Sequence, residues 1–234
     1  MSVYCISKML RYAARRMPFI DIITDKTDPR CLEIFRLRHD VIVDQCKMKV
    51  SKSNVFDSSK GKIIMDTHDT SDATIHYAIR SPITGKYVSA IRTIDGNKTK
   101  LDMEKHNWFQ LDQSIKAGGV AEWSRLVSDR SVRKTNTALL LYMQSVYHLQ
   151  DLGVNNVVFM VDSRAKNLMN YYKRYTICEE ISNGPVECNE YEQGRKSHVM
   201  LMPMGEPDSI VRVKFNLQVR VPIVFAVSLM KSVV

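Results

Sequence analysis

The spacing of apolar and polar side chains divides most of the chain into short segments of helical or strand periodicity. Apolar positions three or four residues apart predict helices over residues 28–43, 135–152 and 165–175. Runs rich in β-branched and aromatic residues predict strands over residues 19–24, 73–81, 86–94, 120–128, 156–161, 178–181 and 198–202. The turn sequence PITG at residues 82–85 should join two of these strands into a hairpin. The mixture predicts an α/β fold of the α+β type, with a mixed sheet and helices on its faces.

Two internal segments lack a clear period. Residues 47–62 are polar and rich in Ser and Lys, which predicts a mobile loop. Residues 97–118 are mixed in character, and several apolar side chains there can anchor the segment to the core. These anchors are Trp108, Phe109, Leu111 and Ile115.

The two ends of the chain differ from its centre. Residues 1–18 carry basic but no acidic side chains, with apolar positions near helical spacing, which predicts a basic amphipathic helix. Packing on the domain, a docking surface and a targeting peptide remain open for it. Residues 211–221 alternate apolar and polar, which predicts one amphipathic strand that adds to a sheet edge or a partner. We therefore divide the chain into an N-terminal helix at 1–18, a domain at 19–205 and a C-terminal extension at 206–234.

Charge and cysteine content narrow the classes of partner and compartment. The sequence has 34 Lys and Arg against 25 Asp and Glu, a net charge of +9 that suits an acidic partner. No apolar run approaches the roughly 20 residues of a transmembrane helix, and no secretory signal is present, so we expect no transmembrane segment. Five cysteines without CxxC spacing predict free thiols in a reducing, cytoplasmic compartment. The sequence contains no HExxH, GxSxG or Walker motif, and we expect no metal site.

Five segments, in chain order, resemble motifs of one branch of enzymes. They are FRLRHDVIV at residues 35–43, DTHD at 66–69, SAIR at 89–92, EWSRLV at 122–127 and the stretch 167–177. They are similar to the LRxxVF, DxxD, GxxR, ExSRLxV and NxxxxxYxxxGF patterns of the acyl-homoserine-lactone (autoinducer) synthases and N-acyl amino acid synthases, within the acetyltransferase-like (GNAT) superfamily. The resemblance covers roughly residues 19–205. It implies an acyltransferase with a mixed, mostly antiparallel sheet flanked by helices on both faces.

Two departures from the family patterns bear on the co-substrates. The lactone synthases place aromatic residues where this chain has Ile42 and Met48, which weakens the expectation of S-adenosylmethionine. The superfamily's phosphate-binding pattern R/QxxGxG/A appears as RKTNTA at residues 133–138, and Asn136 hinders close backbone approach to a pyrophosphate. We therefore expect no bound cofactor. The expected donor is acyl-phosphopantetheine on an acyl carrier protein rather than acyl-coenzyme A.

The resemblance also implies roles in the transfer itself. Glu122 is the candidate base for the amine, directly or through a water, and an ion pair with Arg92 or Arg125 is an equally weighted alternative. In the superfamily a splay or bulge of this strand opens the thioester slot. Backbone N–H groups of Leu126 and Val127 would then polarise the thioester carbonyl.

A tyrosine in the last motif matches the superfamily's general acid. Tyr172 would protonate the departing thiolate, although Tyr171 and Tyr175 compete for this role and a plain core role is the alternative. An apolar groove would hold the acyl chain. Candidate groove residues, which core packing explains equally well, are Leu139, Leu140, Met143, Phe159 and Leu168.

Charged side chains in the motifs, and others at the start of the predicted helix 135–152, form two further candidate sites. The first would bind the acceptor amine and carboxylate, with a structural network as the alternative; its members are Arg38, Asp66, Asp69, Arg92 and Arg125. The second would bind the phosphopantetheine and its carrier protein, with a solvated face as the alternative; its members are Arg130, Arg133 and Lys134.

The leading interpretation is an N-acyltransferase that moves a fatty acyl group from acyl carrier protein to the amine of an amino acid. One alternative is an acyl-homoserine-lactone synthase that uses S-adenosylmethionine. Another is a catalytically inactive binding protein on the same fold. Nucleic acid is not an expected partner, because aromatic residues do not interleave with the basic ones outside the first segment.

Overall fold

A computed structural model describes residues 19–59, 61–133, 135, 137–175, 178–188 and 194–204. The helix expected at residues 1–18 and the strand expected at 211–221 lie outside the described residues. The strands are β1 Ile20–Ile23, β2 Val55–Ser58, β3 Gly61–Ile64, β4 Thr74–Arg80, β5 Tyr87–Asp95, β6 Val120–Ser128, β7 Asn156–Asp162, β8 Glu179–Glu180, β9 Val186–Glu187 and β10 Lys196–Pro203. The α-helices are α1 Arg30–His39, α2 Asp102–Lys105, α3 Gln113–Ala117, α4 Thr137–Asp151 and α5 Lys166–Tyr175. A π-helix, Asp40–Gln45, continues α1, and 3₁₀ turns occupy Lys52–Asn54 and Arg130–Val132.

Eight of the strands form one sheet in the order β1-β4-β5-β6-β7-β10-β8, with β9 beside β10. Its pairings are antiparallel except for that of β6 with β7, which is parallel. The hairpin expected around residues 82–85 is the β4–β5 pair. The predicted mixed, mostly antiparallel sheet is therefore confirmed.

The helices cover both faces of this sheet, as the resemblance implies. Helix α1 packs Ile34 and Phe35 against one face, on which Ala78 and Ala90 lie. Helices α4 and α5 pack on the opposite face, where the aromatic residues of β4, β6 and β7 form the largest core cluster. Because strand side chains alternate, neighbouring residues of β4, β5 and β6 face different helical layers.

The prediction of a mobile loop over residues 47–62 is wrong. This segment contains a 3₁₀ turn, β2 and the start of β3, and the two strands form a separate antiparallel hairpin. Its polar side chains face solvent, whereas Ile63 and Ile64 of β3 are buried with α1. Apolar residues occur only at the open end of the hairpin, so residues 47–62 show no alternation of apolar and polar side chains.

Candidate active site

Strands β6 and β7 run together for only part of their length. Parallel pairing joins Val120 to Asn156 and ends with Trp123 opposite Phe159. Both strands continue beyond this point, and the described residues form no further pair between them. The expected parting of the strand that carries Glu122 is confirmed.

The opposite edge of β6 carries a bulge at the same level. The register with β5 shifts between Ala90 and Arg92, so β6 has one extra residue there. Arg125 lies in this region with φ of 55°, a left-handed conformation that costs free energy in a residue with a side chain. Bulges bend a strand and redirect its side chains, and this one lies just past the last pair with β7.

The parting opens a cavity of about 450 Å³. Its walls come from β6, β7, α5, the segment around α2 and the segment that follows α1. Predicted site residues on these walls are Glu122, Arg125, Leu126 and Tyr172, and Ile42 and Met48 also line it. One cavity therefore joins the candidate base, the candidate acid and an acceptor residue.

A second cavity of about 730 Å³ lies between the tip of the β4–β5 hairpin and the start of α4. Ile83, Val132 and Leu140 line it, and none of the predicted base, acid or acceptor residues does. The second cavity is larger, but it lacks the residues that the proposed acyl transfer needs. We therefore place the candidate active site at the parting of β6 and β7.

Glu122 is buried beside the first turn of α2. Its carboxyl group accepts a hydrogen bond from the Met103 backbone N–H at 3.3 Å. The residue as a whole is 3% exposed. Burial, and then the nearby Asp102 carboxylate, raise the pKa of Glu122 well above the ordinary value of a glutamate. The alternative ion pair with Arg92 is not formed in the described residues, because the guanidinium of Arg92 bonds elsewhere.

Arg92 organises the carboxylates around it. Its Nη1 lies 2.6 Å from Asp66 Oδ1, its Nη2 lies 2.8 Å from Asp102 Oδ2, and its Nε donates to Ser124 Oγ at 2.9 Å. Asp66 in turn accepts from Arg125 Nη2 at 2.5 Å. Asp66 thus bridges an arginine in the sheet interior and an arginine on the cavity wall.

Arg38 and Asp69 form a second, fully buried pair. Arg38 Nη1 donates to both Asp69 oxygens at 2.8 Å, and Arg38 Nη2 lies 3.3 Å from His76 Nδ1. Burial opposes ionisation of Asp69, but the guanidiniums of Arg38 and Arg92 outweigh it and set the pKa of Asp69 at about 2. Burial, and then the charge of Arg38, lower the pKa of His76 to about 3, so this imidazole is neutral at pH 7.

The five predicted acceptor residues therefore belong to one network but differ in access. Arg38, Asp69 and Arg92 are buried and contact one another. Arg125 lines the cavity, and Asp66 is bonded to its guanidinium. One of the five, Arg125, therefore lines the cavity, and the other four lie behind it.

Tyr172 reaches the cavity from α5. Its hydroxyl is hydrogen-bonded to the hydroxyl of Tyr142 on α4, and burial raises the pKa of Tyr172 to about 12. Tyr171 packs edge-on against Tyr172, with ring centroids 6.1 Å apart, and is not among the residues that line the cavity. The side chain of Tyr175 lies outside the described part of the structure.

The predicted carrier site lies beside the segment that follows α1. Arg130 Nη2 donates to the Gln45 carbonyl oxygen at 2.6 Å, and Arg133 Nη2 lies 3.0 Å from Gln45 Oε1. Arg133 also contacts Cys46, which lines the cavity. Both arginines are exposed, and Lys134 lies outside the described residues.

A family model described as N-acyl amino acid synthase FeeM matches residues 33–202, a span that contains the cavity-lining motif residues. The chain belongs to this family. The suspected N-acyl amino acid synthase resemblance is thereby confirmed, and the protein is an N-acyltransferase. A search of curated protein sequences finds no match.

Solved structures show that this family member shares the acetyltransferase-like fold. The CoA-dependent acyl-homoserine lactone synthase BjaI, solved with SAM and isopentyl-CoA, is 15% identical with a TM-score of 0.60, covering 87% of this chain and 90% of that one. FeeM, an N-acyl amino acid synthase from uncultured soil microbes, is 9% identical with a TM-score of 0.57, covering 81% and 97%. TofI, in a ternary complex with an inhibitor and MTA, is 14% identical with a TM-score of 0.56, covering 83% and 97%.

The predicted acyl groove of this N-acyl amino acid synthase family member needs correction. Phe159 and Leu168 line the cavity, but Leu140 lines the second cavity and Met143 lines neither. Helical spacing identifies an apolar face of α4 but does not tell which part of that face a strand covers. The side chain of Leu139 lies outside the described residues.

Sequence reasoning missed Asp102, which holds Arg92 and borders the cavity beside Glu122. Asp102 Oδ1 also lies 3.4 Å from His68 Nε2 and 3.5 Å from His106 Nε2. It belongs to residues 97–118, whose mixed pattern gave no period, and no quoted motif includes it. An acidic residue within an apolar segment was the available signal.

His39, Asp40 and Asp44 form a small acidic cluster whose ligand atoms lie within 4.8 Å of one another. None of the three lines the cavity at the β6–β7 parting.

Among the described residues, no helix is long and apolar enough to span a bilayer.

Proposed function

We propose that this N-acyltransferase moves a fatty acyl group from the phosphopantetheine thioester of an acyl carrier protein to the amine of an amino acid. The observation that carries the proposal is that Glu122 and Tyr172 line one cavity where β6 leaves β7. A thioester arm needs such an opening to reach a base that lies on a central strand of the sheet.

Glu122 is the base in this proposal. An amino acid brings its amine largely as an ammonium ion, which must lose a proton before nitrogen attacks the thioester carbonyl carbon. A buried carboxylate with a raised pKa accepts that proton more readily than an ordinary glutamate. Glu122 passes this first proton to solvent before the neutral amine attacks. The new C–N bond then forms, the C–S bond breaks, and the second proton that the nitrogen loses passes to Glu122.

The carbonyl oxygen and the sulfur carry negative charge during this step. Beyond Trp123 the backbone of β6 has no described partner on β7, so amides there, at Leu126 and Val127, are the proposed donors to the oxyanion. Tyr172 would give its proton to the departing thiolate, and Tyr142 lies in position to donate to Tyr172 in turn.

Arg125 and Asp66 are the proposed contacts for the acceptor. Arg125 lines the cavity and its guanidinium suits a carboxylate, and Asp66, bonded to Arg125, suits an ammonium group. Arg38, Asp69 and Arg92 would hold these two in place. Ile42 and Met48 line the cavity with aliphatic side chains rather than aromatic rings, which favours an amino acid over S-adenosylmethionine.

The carrier-bound donor is supported by charge. Arg130 and Arg133 are exposed beside a cavity-lining residue, and the chain has a net charge of +9. Carrier proteins are acidic, so both features favour docking of the carrier at this entrance.

Product analysis tests the proposal. Purified protein is supplied with a palmitoyl-class acyl group on carrier protein or on coenzyme A, together with a mixture of the amino acids, and the products are identified by mass spectrometry. We expect N-acyl amino acids, formed faster from the carrier protein. Lactones formed only when S-adenosylmethionine is added would replace the proposed acceptor, and faster turnover of acyl-coenzyme A would replace the proposed donor.

A further inference from the structure

The chain contains two tryptophans, Trp108 and Trp123, and both line the cavity at the β6–β7 parting. Of the two, only Trp123 is among the described residues with a buried, unpartnered side-chain nitrogen. Trp123 Nε1 is buried and has no hydrogen-bond partner among the described residues. Trp123 is 3% exposed as a whole.

Trp123 occupies the vertex of the parting. It is the last residue of β6 that pairs with β7, opposite Phe159. If an acyl-phosphopantetheine arm enters between the separated ends of the two strands, its acyl end therefore lies next to Trp123. The ring packs against Tyr142 at a centroid distance of 4.7 Å and Phe159 at 5.6 Å.

An indole N–H can donate a hydrogen bond but cannot accept one. Buried indole N–H groups usually find a partner, and one that lacks a protein partner calls for a specific explanation. A buried water is held by two to four polar partners, whereas the side chains packed on this indole present aromatic rings. A ligand oxygen in the cavity satisfies the group after a small shift of the indole, because Trp123 lines the cavity but its Nε1 is closed to solvent in the structure.

We propose that Trp123 is a substrate-binding residue whose Nε1–H donates a hydrogen bond to an oxygen of the bound acyl thioester. The inference rests on the proposed function, since it needs an acyl thioester in the cavity. The acceptor oxygen has two possible sources, the thioester carbonyl and an oxygen substituent on the acyl chain. Trp123 would fix the depth to which the arm enters.

The first test observes the indole directly. In the Trp108→Phe variant, Trp123 is the single tryptophan, so ¹⁵N-labelled protein gives one indole N–H cross-peak in a ¹H–¹⁵N NMR spectrum. The ligands are acylpantetheine ketone analogues, in which a methylene replaces sulfur, with a saturated or a 3-hydroxyacyl chain. Backbone amide shifts report binding independently. We expect the indole proton to move downfield on binding, and a peak that stays in place while the ligand binds would overturn the inference.

The second test separates the two oxygens by turnover. Trp123→Phe in the Trp108→Phe parent keeps an aromatic ring and removes the N–H, and kcat/KM should fall about tenfold relative to that parent. An equal fall for both acyl thioesters assigns the bond to the carbonyl, and a fall confined to the 3-hydroxyacyl substrate assigns it to the chain. Equal kcat/KM in the two proteins would overturn the inference. Failure of the wild-type protein to use any acyl thioester would instead refute the proposed function.

Discussion

The two faces of the central sheet meet at one cavity but are built from opposite kinds of side chain. The face under α1, which we call the charged face, presents His76, Arg92 and Glu122. The face under α4 and α5, which we call the aromatic face, presents Tyr77 and Trp123 from the same strands. Neighbouring residues of β6 therefore supply different parts of the proposed reaction.

The charged face is electrostatically balanced around Glu122. Three guanidiniums, those of Arg38, Arg92 and Arg125, pair with the carboxylates of Asp66, Asp69 and Asp102. Among the described residues no ion pair to Glu122 forms, and burial and the Asp102 carboxylate keep its pKa raised against the opposing charge of Arg92. In the proposed reaction, the charged network would tune the base and the aromatic face would hold the acyl group.

The largest expected effect comes from the base. Glu122→Gln keeps the size of the side chain and removes its basicity, so kcat should fall about 10³-fold, within the range for general base catalysis. The melting temperature checks that the fold is retained. The wild-type kcat/KM should rise with pH as Glu122 loses its proton, with an apparent pKa above that of an ordinary glutamate. A variant with wild-type turnover would remove Glu122 from the mechanism.

The next largest effect should be on stability. Asp69→Asn leaves Arg38 and Arg92 facing a neutral amide, and removal of one partner from a buried pair costs about 3 kcal/mol of unfolding free energy. Urea unfolding measures it. Asp28→Asn, whose half-buried pair with Arg30 lies at the start of α1, is the comparison and should cost about 1 kcal/mol or less, because ion pairs near the surface contribute little. Similar costs at the two sites would contradict the described network.

Acid should destabilise the charged face through His76 before Asp69 titrates. The pKa of His76 is about 3 in the fold against 6.5 as its reference value, so the unfolded chain binds the extra proton between these limits. Stability attributable to His76 is present above about pH 6.5 and is lost as pH falls, by about 1.4 kcal/mol per pH unit at most. The raised pKa of Glu122 gives the wild type an opposing slope, so urea unfolding from pH 6.5 to 4.5 is measured in the Glu122→Gln background. That protein should show the His76 slope, and adding His76→Gln should reduce it.

The aromatic face should give a smaller effect on rate. Tyr172→Phe removes the proposed proton donor but keeps its contacts with Tyr142 and Phe159, so kcat should fall about tenfold or more. Tyr171→Phe, next in sequence and not lining the cavity, is the matched control and should retain more activity. A larger loss at Tyr171 would reverse the assignment.

The smallest expected effect comes from the exposed arginines at the proposed carrier entrance. Arg130→Ala with Arg133→Ala should raise KM for the acyl carrier protein severalfold and weaken its dependence on salt. The KM for acyl-coenzyme A should change less. Equal changes for both donors would argue against docking of a carrier at these arginines.

Sequence reasoning worked where local pattern and motif agree. Strand period located β6 at Val120–Ser128, and the motif within it contains Glu122 and Arg125, which the structure brings to one cavity. It failed at the β2–β3 hairpin and at Asp102, because both depend on contacts with distant elements. It also did not separate Trp123 from ordinary core, since an unpartnered indole N–H appears only when its neighbours are known.

The account depends most on the claim that the acyl thioester enters between β6 and β7. A palmitoyl-class acylpantetheine ketone analogue with a diazirine near the carbonyl can be photolysed in the protein and its adduct mapped by mass spectrometry. The account predicts adducts on cavity residues such as Leu126, Phe159 or Leu168, lost when unlabelled analogue competes. Competed adducts on the second cavity, at Ile83 or Val132, would contradict it.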